Sequence, residues 1–167
     1  MSFRNYAIQM VHDIGYRIRI VKDKGQCYSG DMNSNTKIIQ IVRNRKETVK
    51  YLHTILFHEM SHCISYELYP FFNCGHYSER NGICAKVAAE AIAVICQQRM
   101  WIYLDNPSFT FENTYYDFFD EYELEYYAWK YNSLIENTIW KLKYLYNKNK
   151  YLLGRGGLGK KKNSKLP

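Results

Sequence analysis

Residues 57–64 read FHEMSHCI, and the reading of those eight residues decides what the surrounding chain has to be. His58 and His62 stand four positions apart, and Glu59 follows the first of them. On an α-helix that spacing stacks two side chains on one face, one turn above the other. The stretch is an H-E-x-x-H pattern, in which two imidazoles bind zinc and the glutamate handles a proton for a zinc-activated water.

The flanking sequence predicts a helix from about Lys46 to Tyr66. Val49, Leu52, Leu56, Met60 and Cys63 recur at helical spacing as an apolar stripe, and Pro70 marks a limit beyond it. The two histidines lie beside that stripe, so the motif stands on a helix whose other side is anchored in a core. Upstream, FRNYAIQMVHD (3–13) has helical spacing and ends before Gly15. YRIRIVKD (16–23) alternates apolar and basic residues and predicts a half-buried strand. GQCYSGDMNSN (25–35) carries turn residues, and the β-branched run TKIIQIV (36–42) predicts a second strand.

Downstream, YPFFNCGHYSERNG (69–82) reads as a loop and ICAKVAAEAIAVICQQRMWIYL (83–104) as a second long helix. From Tyr115 to Leu153, helical spacing in Phe118, Tyr122, Tyr126 and Trp129, and then in Ile139, Leu142 and Leu145, predicts one or two further helices. Within that region ENTYYDFFDEYELEYY (112–127) reads as an amphipathic helix with a solvated acidic face.

Catalytic zinc takes three protein ligands and leaves a fourth position for water. Two residues can supply the third. Glu90 is the only acid in CAKVAAEAIAVIC (84–96), on a helix apolar enough that burial would demand a partner for its charge. Ala88, Ala89, Ala91 and Ala93 let that helix approach another closely; the competing reading is an i, i+4 ion pair with Lys86. His76, in the loop NCGHYSE, is the alternative, since a loop histidine can swing onto a metal. His12 reads as a dipole partner at the end of the first helix and His53 as an exposed residue.

The 167 residues suffice for one domain, and 47% hydrophobic content favours a folded core. The five cysteines have no C-x-x-C spacing and read as free thiols in a reducing compartment. No secretory signal opens the chain and no stretch approaches the about 20 apolar residues of a membrane span, so the sequence predicts a cytoplasmic protein without membrane contact. The formal charge is +7, but GRGGLGKKKNSKLP (154–167) holds five basic residues and no acid, and removing those five leaves +2. The sequence thus divides into a domain over 1–153 and a disordered basic tail over 154–167.

Two strands, an H-E-x-x-H helix and a second helix carrying E-x-x-A together resemble the ImmA/IrrE family of small zinc metallopeptidases. The matching residues are HEMSH (58–62) and EAIA (Glu90 to Ala93), and the resemblance covers about residues 1 to 100. It implies an α+β, minimal zincin-like domain: a short, mostly antiparallel sheet packed on the motif helix, with additional C-terminal helices. It further implies His58 and His62 as zinc ligands, Glu59 as general base and Glu90 as third ligand. TKIIQIV would take the place of the edge strand and add an extended peptide substrate by β-augmentation. The substrate would be a protein or peptide, with regulatory proteolysis of a DNA-binding regulator as the family's theme. CGHY (74–77) is similar instead to the histidine loop of SprT-like proteases, which would make His76 the third ligand. The competing functions are a catalytically inactive binding or sensing module on the same fold, and nucleic-acid binding through the basic tail.

Overall fold

The computed structural model describes residues 3–25, 29–43, 49–70, 79–80, 83–104 and 119–156. The chain is α+β. In order it forms α1 (Phe3–Asp13), β1 (Arg17–Lys22), β2 (Gly30–Asn33), β3 (Ile38–Arg43), α2 (Val49–Leu68), β4 (Glu79–Arg80), β5 (Ile83–Cys84), α3 (Ala85–Tyr103), α4 (Glu121–Lys130) and α5 (Asn132–Gly156).

α1 stops at Gly15, whose φ of 78° is the left-handed conformation that a side chain resists. The Tyr16 N–H donates to the Val11 carbonyl and the Gly15 N–H to that of His12, so the helix end keeps its hydrogen bonds while the chain reverses into β1. His12 is exposed in the last turn of α1.

The three-stranded sheet corrects two expectations. Its order is β1-β3-β2, with β1 and β3 parallel over six residue pairs and β2 antiparallel to β3 over four. It is therefore a mixed sheet rather than a mostly antiparallel one, and β3, which contains most of TKIIQIV, is its central strand rather than its edge. The reason is β2. Gly, Asp and Asn are poor strand formers, so 30–33 carries no strand signal of its own. The strand exists because a tight turn returns it to β3: the Asn33 Oδ1 accepts from the Asn35 and Thr36 N–H groups, and Lys37 closes the turn at φ 55°. Ile39 and Ile41 of β3 are fully buried, as a central strand requires.

α2 is the hub, packed against the sheet, α1, α3 and α5. Its predicted stripe is in place: Leu52, Leu56, Met60 and Cys63 are buried. α3 lies against α2 with Ala88, Ala89, Ala91 and Ala93 buried, the close approach that small side chains permit. Ile83 and Cys84, expected to open α3, instead pair with Arg80 and Glu79 in a short hairpin. Cys63 and Cys96 are buried free thiols.

Two further helices follow, as the spacing predicts. α4 begins with a capping box between Asp120 and Glu123. Its aromatic repeat is helical but faces outward: Tyr122, Tyr126 and Trp129 are exposed, and Leu124, Tyr127 and Ala128 make the contact with the core. Ile139, Leu142 and Leu145 of α5 are buried. α5 runs to Gly156, past the boundary predicted at 153, and the rest of the tail lies outside the described residues, as do His76 and Cys74. Among the described residues no helix is long and apolar enough to cross a membrane.

Candidate metal centre

His58 and His62 project from successive turns of α2 with their rings 4.9 Å apart and nearly perpendicular. Their Nε2 atoms are 3.2 Å from each other. Glu90 reaches across from α3, its Oε2 3.2 Å from His58 Nε2 and its Oε1 3.3 Å from His62 Nε2. Its carboxylate oxygens thus face the two histidines, and its side chain remains 43% exposed at the mouth of the site instead of buried in the helix interface.

These distances fit a metal. With zinc–nitrogen and zinc–oxygen bonds of about 2.0–2.2 Å, neighbouring ligands in a tetrahedron stand about 3.3–3.5 Å apart. The histidine pair is within about 0.3 Å of that, and so is each histidine's contact with Glu90, one through Oε2 and the other through Oε1. The donor set agrees, because two imidazole nitrogens facing each other at 3.2 Å need either an N–H hydrogen or a cation between them, and a cation satisfies both lone pairs and the carboxylate together. His58 shows which nitrogen is offered. Its Nδ1 lies 3.1 Å from Oε1 of the buried Gln97, so Nδ1–H donates there and the Nε2 lone pair points into the cluster. Among the described residues, these three are the group of histidine, cysteine and carboxylate side chains arranged to hold an ion.

Glu59 sits beside the cluster and is 7% exposed. It packs against the backbone of Gly30: a Cβ placed on Gly30 would lie 2.5 Å from Glu59 Oε1 and 2.7 Å from Ile55 Cγ2. Only glycine lets β2 come this close. The cleft between β2, α2 and α3 has a volume of about 250 Å³. Gly30, Asp31, Met32 and Tyr66 line it together with the cluster and Glu59; among the described residues three carboxylates line it and no lysine or arginine does.

The protonation behaviour follows from this crowding. Burial raises the Glu59 carboxyl above its ordinary range; His58 and His62 oppose the rise, and Glu90 and Asp31 add to it. Burial would also raise Glu90, but hydrogen bonds and charge from His62 and His58 outweigh it and hold that carboxyl well below the usual range. For His58, burial disfavours the imidazolium, yet Glu90, Glu59 and Gln97 together raise its pKa. Burial and the nearby Glu90 push the Tyr66 phenol up to about 12, so it stays a neutral O–H group.

The structure therefore brings together His58, Glu59, His62 and Glu90. His53 is a correction: it is half-buried, with its ring near those of Tyr6 and Phe57, and burial lowers its pKa. Gln97 and Tyr66 escaped sequence reasoning although spacing marks both. Gln97 is seven residues after Glu90, on the same face of α3, and Tyr66 is four after His62 on α2. Gly30 had no sequence signal. In comparison with known proteins, the chain matches no family model, no curated protein and no solved structure.

Proposed function

We propose that the chain is a zinc-dependent metallopeptidase of minimal zincin type, acting on a protein or peptide. The observation that carries this reading is the convergence of His58, His62 and Glu90 at ligand spacing with a buried Glu59 beside them. Zinc held by those three side chains would supply Lewis-acid chemistry, lowering the pKa of a bound water and polarising the scissile carbonyl.

The chain's own groups account for the rest. Glu59 takes the proton of the attacking water and returns it to the leaving amine, a role suited to a carboxylate held beside the three ligands at the wall of the cleft. Gln97 holds His58 with Nε2 inward. Substrate enters along β2. In an antiparallel pair, alternate residues turn their backbone groups away from the partner. The Val42 N–H donates to the Ser29 carbonyl, so in this register Gly30 and Met32 are the residues whose N–H and C=O groups face away from β3. An extended peptide added there lies across the cleft, with Gly30 bringing its backbone to Glu59.

The test is zinc per chain by elemental analysis of protein purified without added metal. One zinc per chain is expected, lost in His58→Ala. Glu59→Gln should keep the zinc and lose cleavage of a mixed peptide library read by mass spectrometry. Zinc near zero, unchanged after incubation with zinc and washing, would refute the metal centre. Full zinc with no Glu59-dependent cleavage would refute peptidase activity.

A further inference from the structure

The chain's positive charge has a sharper boundary than the glycine-rich tail. Nine of the 23 Lys and Arg and none of the 16 Asp and Glu lie from Asn137 to Pro167, so that segment carries +9 while residues 1–136 carry a net −2. The excess begins on α5, an ordered helix, well before the tail.

The outer face of α5 combines that charge with exposed aromatic rings. Trp140 is 66% exposed and Tyr144 49%, and their rings lie parallel within 9° at 5.7 Å. At about 100° per residue, Lys143 and Lys150 fall roughly 60–80° to one side of Trp140, and Lys141 and Lys148 roughly 80–100° to the other. The aromatic pair thus runs between two rails of lysine. Lys148 is committed to Asp13 at 3.2 Å. Lys141, Lys143 and Lys150 have no acidic partner among the described residues; their ammonium groups lie over the rings of Tyr144, Tyr103 and Tyr146 at 5.8, 4.7 and 6.0 Å. Tyr103, from the end of α3, extends the aromatic surface under Lys143.

Charge selects the occupant. α4 also exposes Tyr122, Tyr126 and Trp129, but Glu121, Glu123 and Glu125 on the same helix repel an anion. α5 has no acid beyond Glu136. Flat rings flanked by cations suit a polyanion with accessible bases, because bases stack on aromatic side chains while phosphates take the lysines. From Trp140 to Lys150 the helix rises about 15 Å, room for a few successive nucleotides.

We propose that this face of α5 is a docking surface for single-stranded nucleic acid, with Trp140 and Tyr144 stacking on bases and Lys141, Lys143 and Lys150 meeting phosphates. The surface is independent of the metal centre, on a different face of a different helix.

The experiment is fluorescence anisotropy of the full chain with labelled oligouridylate and oligothymidylate of about 15 nucleotides, within the site sizes such proteins cover. The three lysines without acid partners should contribute about −2 to the slope of log affinity against log salt. Trp140→Ala and Tyr144→Ala should each weaken binding about 5-fold or more, and Trp140→Phe should restore most of it. Because both rings are largely exposed, these variants leave the core intact, which circular dichroism checks. The proposal fails if neither oligonucleotide binds, or if Trp140→Ala binds like the parent. It fails equally if deleting residues 157–167 removes all binding, or if the protein prefers anionic lipid vesicles or duplex DNA over the single strand.

Discussion

Gly30→Ala tests the geometry of the cleft most directly. Gly30 has an ordinary backbone conformation, so alanine brings no φ strain; the cost is steric. Its new methyl would sit 2.5 Å from Glu59 Oε1, 2.7 Å from Ile55 Cγ2 and 3.0 Å from Glu59 Cδ. They fall about 0.5–1.5 Å short of ordinary non-bonded contact distance. Ile55 is buried in α2 and has little room to yield. The movable partner is the Glu59 carboxylate, which can only swing out into the cleft, or else β2 must lift from α2. Overpacking of this kind costs about 1–3 kcal/mol. For a domain of this size each kcal/mol lowers Tm by about 2–4 °C, so a drop of about 2–12 °C is expected. The atoms nearest the new methyl belong to Glu59 and Ile55 and not to His58, His62 or Glu90, so zinc content should stay near one per chain while Glu59-dependent cleavage falls. Thermal unfolding by circular dichroism and elemental analysis read the two effects separately. An unchanged Tm with undiminished cleavage would mean that β2 does not press on Glu59, and the edge-strand account of substrate entry would fall with it.

Other expectations follow from single contacts. Gln97→Ala removes the acceptor for His58 Nδ1–H and should weaken zinc binding about 10–100-fold, measured by competition with a chromogenic chelator; unchanged affinity would show that Gln97 does not orient the ring. Ala93 lies on α3 between Glu90 and Gln97, both of which contact His58. Ala93→Leu should therefore push α3 off α2, lower Tm and reduce zinc affinity together, and a fall in Tm alone would contradict the shared interface. Asp13 joins α1 to α5. Burial would raise its carboxyl, but hydrogen bonds from Gln9, Asn149 and Lys148 and the charge of Lys148 bring it below its ordinary value. A carboxylate with a lowered folded-state pKa contributes stability that is present above its unfolded value, about 3.9, and is lost as pH falls through the folded one. Urea midpoints measured from about pH 6 down to pH 2 should show this acid-side loss in the parent and a flatter profile in Asp13→Asn; equal profiles would exclude Asp13 as a source.

What could be read from the sequence was whatever depends on neighbours along the chain. The His58–His62 spacing, the stripe from Leu52 to Cys63 and the repeat through Ile139, Leu142 and Leu145 all follow from 3.6 residues per turn, which relates residues only a turn or two apart. Glu90 was visible for the same reason, as a lone acid on an apolar helix; Gln97 and Tyr66 lay at equally legible spacings. Periodicity says nothing about which side of a helix will meet solvent once neighbours arrive. Hence the spacing of Tyr122, Tyr126 and Trp129 is legible as helical although their rings face outward, and the lysine-flanked face of α5 is apparent only once its burial is known. The sheet depended most on tertiary structure. A strand such as Gly30–Asn33 has little intrinsic preference and exists through its pairing with β3, so neither its presence, nor the central place of β3, nor the parallel match of β1 to β3 is encoded locally. The meeting of Gly30 with Glu59, residues 29 apart in the chain, has the same origin. It is a property of how a strand and a helix dock, and no window of sequence contains both.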